Sequence, residues 1–236
     1  MHFELFILHY AFCIENMSIL VKKTIYLDNA ATERVSLSAM NAAEKYAREL
    51  YFNPGGRVSS SASVMKDIDG ARETVAKVLR CQKNEIIFLS GATEANNFVL
   101  RSAVKRHGCG IVISGGEHAS VYNTAKALSD KYDIKIIPLT KQGQADEEKL
   151  LAAIDGNTAL VSLIHVNNET GAINDINGLA KKIKAVNKNC LFHSDGVQAF
   201  CKSAYALTSD IDFYTVSAHK IGGLKGVGAL YIKNGI

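Results

Sequence analysis

Tryptophan is absent from this chain of 236 residues, and proline occurs only twice. So little proline excludes a polyproline linker and a collagen-like repeat. The five cysteines, Cys13, Cys81, Cys109, Cys190 and Cys201, form an odd set with no C-x-x-C pair. Neither a disulfide framework nor a zinc knuckle is expected from them. Reduced thiols in the cytoplasm are the natural reading. Charge of one sign is also scarce. The 27 basic and 23 acidic side chains leave a net of +4, scattered along the chain, and nothing in that pattern calls for nucleic acid. Long hydrophobic runs are missing as well. The most apolar stretch, residues 3–14, carries Glu4 and His9 and is followed by Glu15. It is too short to cross a bilayer, and it has neither a basic region before it nor a small-residue cleavage site after it. No membrane association is expected. Residues 1–24 read as an N-terminal extension, with Met17 as a natural start, and residues 25–236 as the folded domain.

What is present is an ordinary globular composition, 47% hydrophobic and 21% charged, long enough to bury a sizeable core. From residue 25 onward the apolar pattern alternates between helical and strand-like spacing. Residues 38–51 put Met40, Ala43, Ala47 and Leu50 on one stripe, and residues 63–79 do so with Val64, Ile68, Ala71, Val75 and Val78. Short apolar runs follow at 85–89, 111–114, 134–139, 159–165, 191–193, 213–217 and 227–233. Helical patterns separate the first five at 93–107 (closed by Gly108), around Val121, Ala125 and Leu128, at 146–154 and at 175–187. The runs are mostly unbroken rather than alternating, as strands covered on both faces are. The expectation is an α/β fold: a mostly parallel, seven-stranded sheet between layers of helices.

In such sheets ligands bind outside the carboxyl ends of the strands. The residues that leave the strands are polar and small: Ser90-Gly91-Ala92-Thr93-Glu94, Gly115-Gly116-Glu117-His118, Val166-Asn167-Asn168-Glu169, Ser194-Asp195-Gly196-Val197-Gln198 and Ser217-Ala218-His219-Lys220. The first is an anion seat at a helix start, or a plain capping turn with Thr93 as the cap. It lacks the spacing of a nucleoside-triphosphate loop. Lys220 could form a Schiff base with a carbonyl compound. Asp195 could pair with a protonated heterocyclic nitrogen, an interaction of roughly 4 kcal/mol at 4 Å, or simply cap a strand end. His118 could stack on an aromatic ring or relay protons. Glu117, His118, His165, His193 and Asp195 show none of the spacings of metal ligands, so no metal is expected. No G-x-G-x-x-G opens a helix after the first strand, which disfavours a nicotinamide cofactor.

Six ordered motifs carry a resemblance. They are Tyr26-Leu27-Asp28-Asn29-Ala30-Ala31-Thr32, Ser90-Gly91-Ala92-Thr93-Glu94-Ala95-Asn96-Asn97, Glu117-His118, His165-Val166-Asn167-Asn168-Glu169-Thr170-Gly171, His193-Ser194-Asp195-Gly196-Val197-Gln198-Ala199 and Ser217-Ala218-His219-Lys220-Ile221-Gly222-Gly223. The chain resembles the cysteine desulfurases, within the class V aminotransferase group of fold type I pyridoxal-phosphate enzymes. The resemblance implies that residues 25–236 form the cofactor-binding large domain, with the C-terminal small domain absent. It implies pyridoxal 5'-phosphate held by Lys220, stacked on by His118, and protonated at the ring by Asp195. Gln198 would meet the ring hydroxyl and Asn168 would lie beside it. Ala92, Thr93, Ser217 and His219 would hold the phosphate. The implied reaction takes sulfur from L-cysteine onto an enzyme cysteine, for iron–sulfur assembly or thiolation. A homodimer and a sulfur-acceptor or scaffold protein are the implied partners. Another class V enzyme, such as an aminotransferase or selenocysteine lyase, and a non-catalytic cofactor-binding fragment are the alternatives.

The departures from the family pattern are specific. Asn53-Pro54-Gly55-Gly56-Arg57 lacks the histidine of the related N-P-S-S-x-H stretch, Leu224 stands where proline is usual, and Cys201 stands where glycine is usual. No cysteine sits in the family's nucleophile motif, and no arginine clamp for a substrate carboxylate follows Lys233. A truncated chain with little desulfurase turnover of its own is therefore expected.

Overall fold

A computed structural model describes residues 25–107 and 109–236; the expected N-terminal extension and the helix-closing Gly108 lie outside the described residues. Helices α1 (Leu37–Arg48) and α2 (Ser59–Leu79) lead into β1 (Ile86–Leu89), α3 (Ala92–His107), β2 (Gly110–Ser114) and α4 (Ala119–Ala127). Then come β3 (Asp133–Ile137), α5 (Glu147–Ala153), β4 (Thr158–Ile164), α6 (Ile176–Val186), β5 (Leu191–Asp195), β6 (Phe213–Ser217) and β7 (Gly228–Ile232). The strands form one seven-stranded sheet in the order β1-β7-β6-β5-β4-β2-β3. Strands β3, β2, β4, β5 and β6 pair in parallel, while β7 runs antiparallel to both β6 and β1. The expected α/β architecture is present.

The sheet separates two apolar layers. Ile111 and Ile113 of β2 pack with Ala95, Val99 and Leu100 of α3 and Val121 and Ala125 of α4. Val112 points the other way and joins Leu150 of α5, Leu179 and Ile183 of α6, and Leu79 of α2. This alternation on a strand buried at all five positions is the period-two geometry of a strand covered on both sides. Because α4 and α6 lie on opposite faces, the chain leaving β2 and the chain leaving β4 part between neighbouring strands. A crevice opens there at the carboxyl edge, the place such sheets use for ligands.

Several boundaries differ from the sequence reading, each for a physical reason. The run at 85–89 gives an edge strand, β1, with Phe88 37% exposed. Its first residue belongs to a 3-10 turn, Lys83–Glu85, whose Glu85 carboxylate accepts the Gln82 N–H at 2.9 Å. Helix α2 begins four residues before the expected 63, because its first turn is a serine run with no apolar signal. The stripe expected on α1 buries nothing among the described residues, and Met40 is 48% exposed. Strand β5 continues past His193 to Asp195, buried throughout. Its polar residues are satisfied sideways: His193 Nδ1 lies 2.8 Å from Ser162 Oγ and Nε2 lies 3.0 Å from Thr215 Oγ1. Burial pushes this imidazole down to about 3, so it is neutral.

Cys201 lies in a turn with φ of 59°. A left-handed backbone carries a steric cost for any side chain with a Cβ, and glycine escapes it. That explains why glycine suits this position in the family the sequence resembles. Cys201→Gly is expected to stabilise the fold by about 0.5–1 kcal/mol. The measurement is the urea midpoint at unchanged slope, and a lowered midpoint would show that the thiol's own packing outweighs the backbone term.

Candidate active site

A cleft of about 570 Å³ opens at the carboxyl edge of the sheet, within the usual range of roughly 300–1,000 Å³ for small-molecule sites. Ala92, Thr93, His118, Asn168, Asp195, Gln198, Ser217, His219 and Lys220, the residues singled out from the sequence, all line it. Glu117, His165 and His193 do not.

Asp195 ends β5, flanked by Ile164 of β4 and Thr215 of β6, and is only 3% exposed. Its Oδ2 accepts from Asn96 Nδ2 at 2.8 Å and its Oδ1 from the Val197 N–H at 3.1 Å. Burial pushes this carboxyl above the usual range, while those two hydrogen bonds and the neighbouring His118 and Lys220 side chains oppose the shift. A cation beside it would hold it ionised. The turn that follows requires Gly196, because a Cβ there would lie inside the Tyr214 ring.

Lys220 ends a 3-10 turn, Ala218–Lys220, directly after β6. Its Nζ donates to the carbonyls of Ala30 at 2.6 Å and Ala31 at 2.8 Å. Partial burial lowers its pKa, and Lys202 lowers it further, while Asp195 and Asp28 act the other way. A depressed amine is the more nucleophilic one. The 28–36 segment that covers it is bound to the lysine turn: Glu33 N–H donates to the His219 carbonyl and Ser36 N–H to that of Gly222, each at 2.8 Å. His219 Nδ1 lies 3.0 Å from Thr32 Oγ1. The sequence reading assigned this covering segment no role.

The start of α3 faces the same cleft. The reading of Thr93 as a cap is corrected: the helix starts at Ala92, and Thr93 is its second residue. First-turn N–H groups have no partner within a helix, so those of Ala92, Thr93 and Glu94 remain available to an anion. The Glu94 carboxylate would compete, but it is turned back onto Ser90, accepting from its N–H at 2.7 Å and its Oγ at 2.8 Å. Those bonds lower its pKa.

His118 caps α4, its Nδ1 accepting the Ser120 N–H at 3.1 Å. Beneath it, Glu117 Oε1 accepts from Ser114 Oγ at 2.5 Å and the Ile164 N–H at 2.9 Å, and its Oε2 has no partner among the described residues. Burial drives this carboxyl up to about 8. His165 sits 2.9 Å from the Tyr214 hydroxyl, and burial holds it down at about 4. Residues that could be read as metal ligands are thus engaged separately, and no group of three such side chains that could hold a metal ion occurs among the described residues. Asn96 and Ser120 escaped the sequence reading; the signal available was an asparagine pair, Asn96-Asn97, inside an otherwise apolar-striped helix.

The sequence profile of the aminotransferase class-V family matches residues 25–236. The chain belongs to that family. It is 37% identical over 219 residues to a cysteine desulfurase of Nostoc sp., covering 90% of this chain and 54% of that protein. It is 36% identical over 221 residues to cysteine desulfurase IscS of Clostridium botulinum, covering 92% of this chain and 55% of the relative. Among solved structures, a NifS-like protein superposes with a TM-score of 0.86 at 34% identity, covering 90% of this chain and 60% of the other. One described as SspA in complex with cysteine superposes at 0.84 and 31%, covering 89% and 62%. The chain spans about half the length of the curated relatives it matches.

Enzymes of this family depend on pyridoxal phosphate, and the residues present fit it. A buried carboxylate that needs a cation, an amine with a depressed pKa and unpaired helix N–H groups face one cleft. These are the three complements of a pyridinium ring, an aldehyde and a phosphate.

Glu117 supplies a pH test. Its carboxyl sits near 8 in the folded protein against an ordinary 4.5. Between those values the folded protein binds the extra proton, so this group's stabilisation is full below about pH 4.5 and is lost as pH rises through 8. Glu117→Gln keeps an acceptor for Ser114 and Ile164 but does not titrate. Denaturation between pH 5 and 8 should show the variant's stability changing by about 1 kcal/mol per pH unit less steeply on this account. Parallel curves would mean that Glu117 is ionised in the folded protein.

Proposed function

We propose that the chain forms the cofactor-binding portion of a pyridoxal-phosphate-dependent cysteine desulfurase. The observation that carries this reading is the convergence of Asp195, Lys220 and the open start of α3 on one cleft. The curated relatives named cysteine desulfurase, and the similar structure described in complex with cysteine, select the substrate.

Bound in this cleft, pyridoxal phosphate would supply a carbonyl that condenses with amines and a ring that draws electrons from the substrate's α-carbon. The protein's part is positional and electrostatic. Lys220 would offer its Nζ to the carbonyl on leaving Ala30 and Ala31. Asp195 would hold a proton on the ring nitrogen, and that pair would in turn keep Asp195 ionised. His118 would cover the ring and move protons with the nitrogen not held by Ser120. The Ala92, Thr93, Ser217 and His219 cluster would hold the phosphate, and Gln198 and Asn168 would meet the ring hydroxyl and the substrate side. Gln198 Nε2 rests meanwhile on the Ala30 carbonyl at 2.8 Å. The apolar residues Leu37 and Met40, exposed on α1, suit a further surface such as that of a homodimer. The four described cysteines are free thiols, which suits a reducing compartment, the cytoplasm. Delivery to a sulfur acceptor or scaffold protein, in iron–sulfur assembly or thiolation, completes the reading.

None of the described cysteines lines the cleft. Burial pushes Cys81 up to about 11 and Cys190 to about 12, and raises Cys201 as well. Sulfur transfer needs a thiolate, so these thiols are poor acceptors.

Two measurements check the reading. Borohydride reduction after addition of pyridoxal phosphate should fix a pyridoxyl label on Lys220, and Lys220→Ala should remove it; a label confined to Lys225 or any other lysine defeats the assignment. Release of alanine and sulfide from cysteine, with a reductant present, should stay near background for these 236 residues alone. Sustained turnover abolished by Cys201→Ser would show that a resident thiol does the work.

A further inference from the structure

Asn96 lies on α3 one turn past the anion seat and has no exposed surface. Both protons of its amide are spoken for. One goes to Asp195 Oδ2 and the other to Ser120 Oγ, each at 2.8 Å. A flipped amide would set its oxygen against the carboxylate, acceptor against acceptor, so the orientation is fixed. The Ser120 hydroxyl, already accepting from Asn96, lies 2.8 Å from His118 Nδ1 and is left to donate there. The Ser120 N–H reaches the same nitrogen at 3.1 Å, and a backbone N–H can only donate. Nδ1 is therefore bare, and the neutral ring carries its proton on Nε2. The Asn96 Oδ1 is buried without a partner. An unsatisfied buried acceptor is destabilising, so fold stability alone does not select asparagine here.

Resting on the pyridoxal-phosphate reading of the cleft, we propose that Asn96 is a positioning residue that acts on both sides of the bound ring at once. Through its direct bond it fixes Asp195 as a carboxylate toward the ring nitrogen. Through Ser120 it fixes His118 with a bare Nδ1 and a protonated Nε2 toward the cleft. Other titratable groups also face Asp195. Lys220 favours its charge, and His118 would do so only once protonated. Glu117 and Tyr214 are themselves pushed up by burial and stay neutral near pH 7. The Asn96 amide is the largest single influence that opposes the burial of Asp195.

The test uses the cofactor-free protein first. Carbon magnetic resonance of the Asp195 carboxyl and nitrogen resonance of the His118 ring report ionisation and tautomer without any turnover. In Asn96→Leu the Asp195 midpoint should rise by about one pH unit or more, the scale of one lost hydrogen bond to a buried charge. His118 should lose its preference for the Nε2–H form. If that variant does not fold, Asn96→Asp keeps the shape and sets an acceptor against Asp195. The midpoint should rise again, and the Ser120 hydroxyl should turn from His118 to the new carboxylate. Ser120→Ala should disturb His118 and leave Asp195 alone. A folded Asn96 variant with the parent's midpoint and tautomer overturns the proposal.

Affinity for pyridoxamine 5'-phosphate, which needs no lysine adduct, tests the link to the ring. Asn96→Leu should bind it about tenfold more weakly at neutral pH, and the loss from Asn96→Leu should be clearly smaller on an Asp195→Asn background. Additive losses overturn the action through Asp195. If Asp195→Asn binds as tightly as the parent, the reading of the cleft fails, while the magnetic resonance results still decide whether Asn96 sets the two side chains.

Discussion

The constraint on which the site depends is a carboxylate buried at the end of the central strand. Taking a charge out of water costs several kcal/mol unless it is compensated nearby. Asp195 cannot escape, because β4 and β6 hold it from both sides. Its surroundings can be read as that compensation: the Asn96 amide, the Val197 N–H and the cationic side of the cleft. The turn behind it is shaped by the same need. Gly196 leaves space for the Tyr214 ring, whose hydroxyl lies against a histidine held neutral by burial.

Lys220 sits under two opposing influences. Burial depresses its pKa and frees the nitrogen lone pair. The carbonyls of Ala30 and Ala31, at 2.6 and 2.8 Å, instead favour the protonated ammonium. The amine is thus stored as a donor in a place where it is only weakly held as a cation. The 28–36 segment that stores it is bonded to the turn that carries it. Movement of that segment and release of the lysine are therefore one event mechanically, although the segment contributes no strand to the sheet.

The fold was legible where apolar residues alone set the pattern. β2 and β4 are buried at every position and read as unbroken runs. The pattern failed where burial is achieved by pairing. Ser194 and Asp195 look like a loop in sequence, yet they complete a buried strand beside His193, which is satisfied by hydroxyls on the strands to either side. At the sheet edge the run at 85–89 gave the strand but not its exposure, since Phe88 on β1 is left 37% exposed. The nine lining residues were legible because strand exits and family motifs coincide. Asn96 and Ser120 were not, because their function lies in which atom faces which, and helical periodicity carries no trace of a hydrogen-bond direction.

One physical quantity, desolvation, divides the nucleophiles of this chain into two kinds. For an amine it removes the charge and exposes the lone pair, so partial burial makes Lys220 more reactive. For a thiol it withholds the charge that reactivity requires, so burial makes Cys81 and Cys190 inert. A fold that places its lysine in a half-buried cleft and Cys81 and Cys190 against the core has separated carbonyl chemistry from the chemistry of those two thiols by dielectric. A thiol able to accept sulfur here would have to enter the cleft from the solvent side. There it would meet Lys225 and Lys220 along the walls, and positive charge at that entrance lowers a thiol's pKa in the direction the transfer needs.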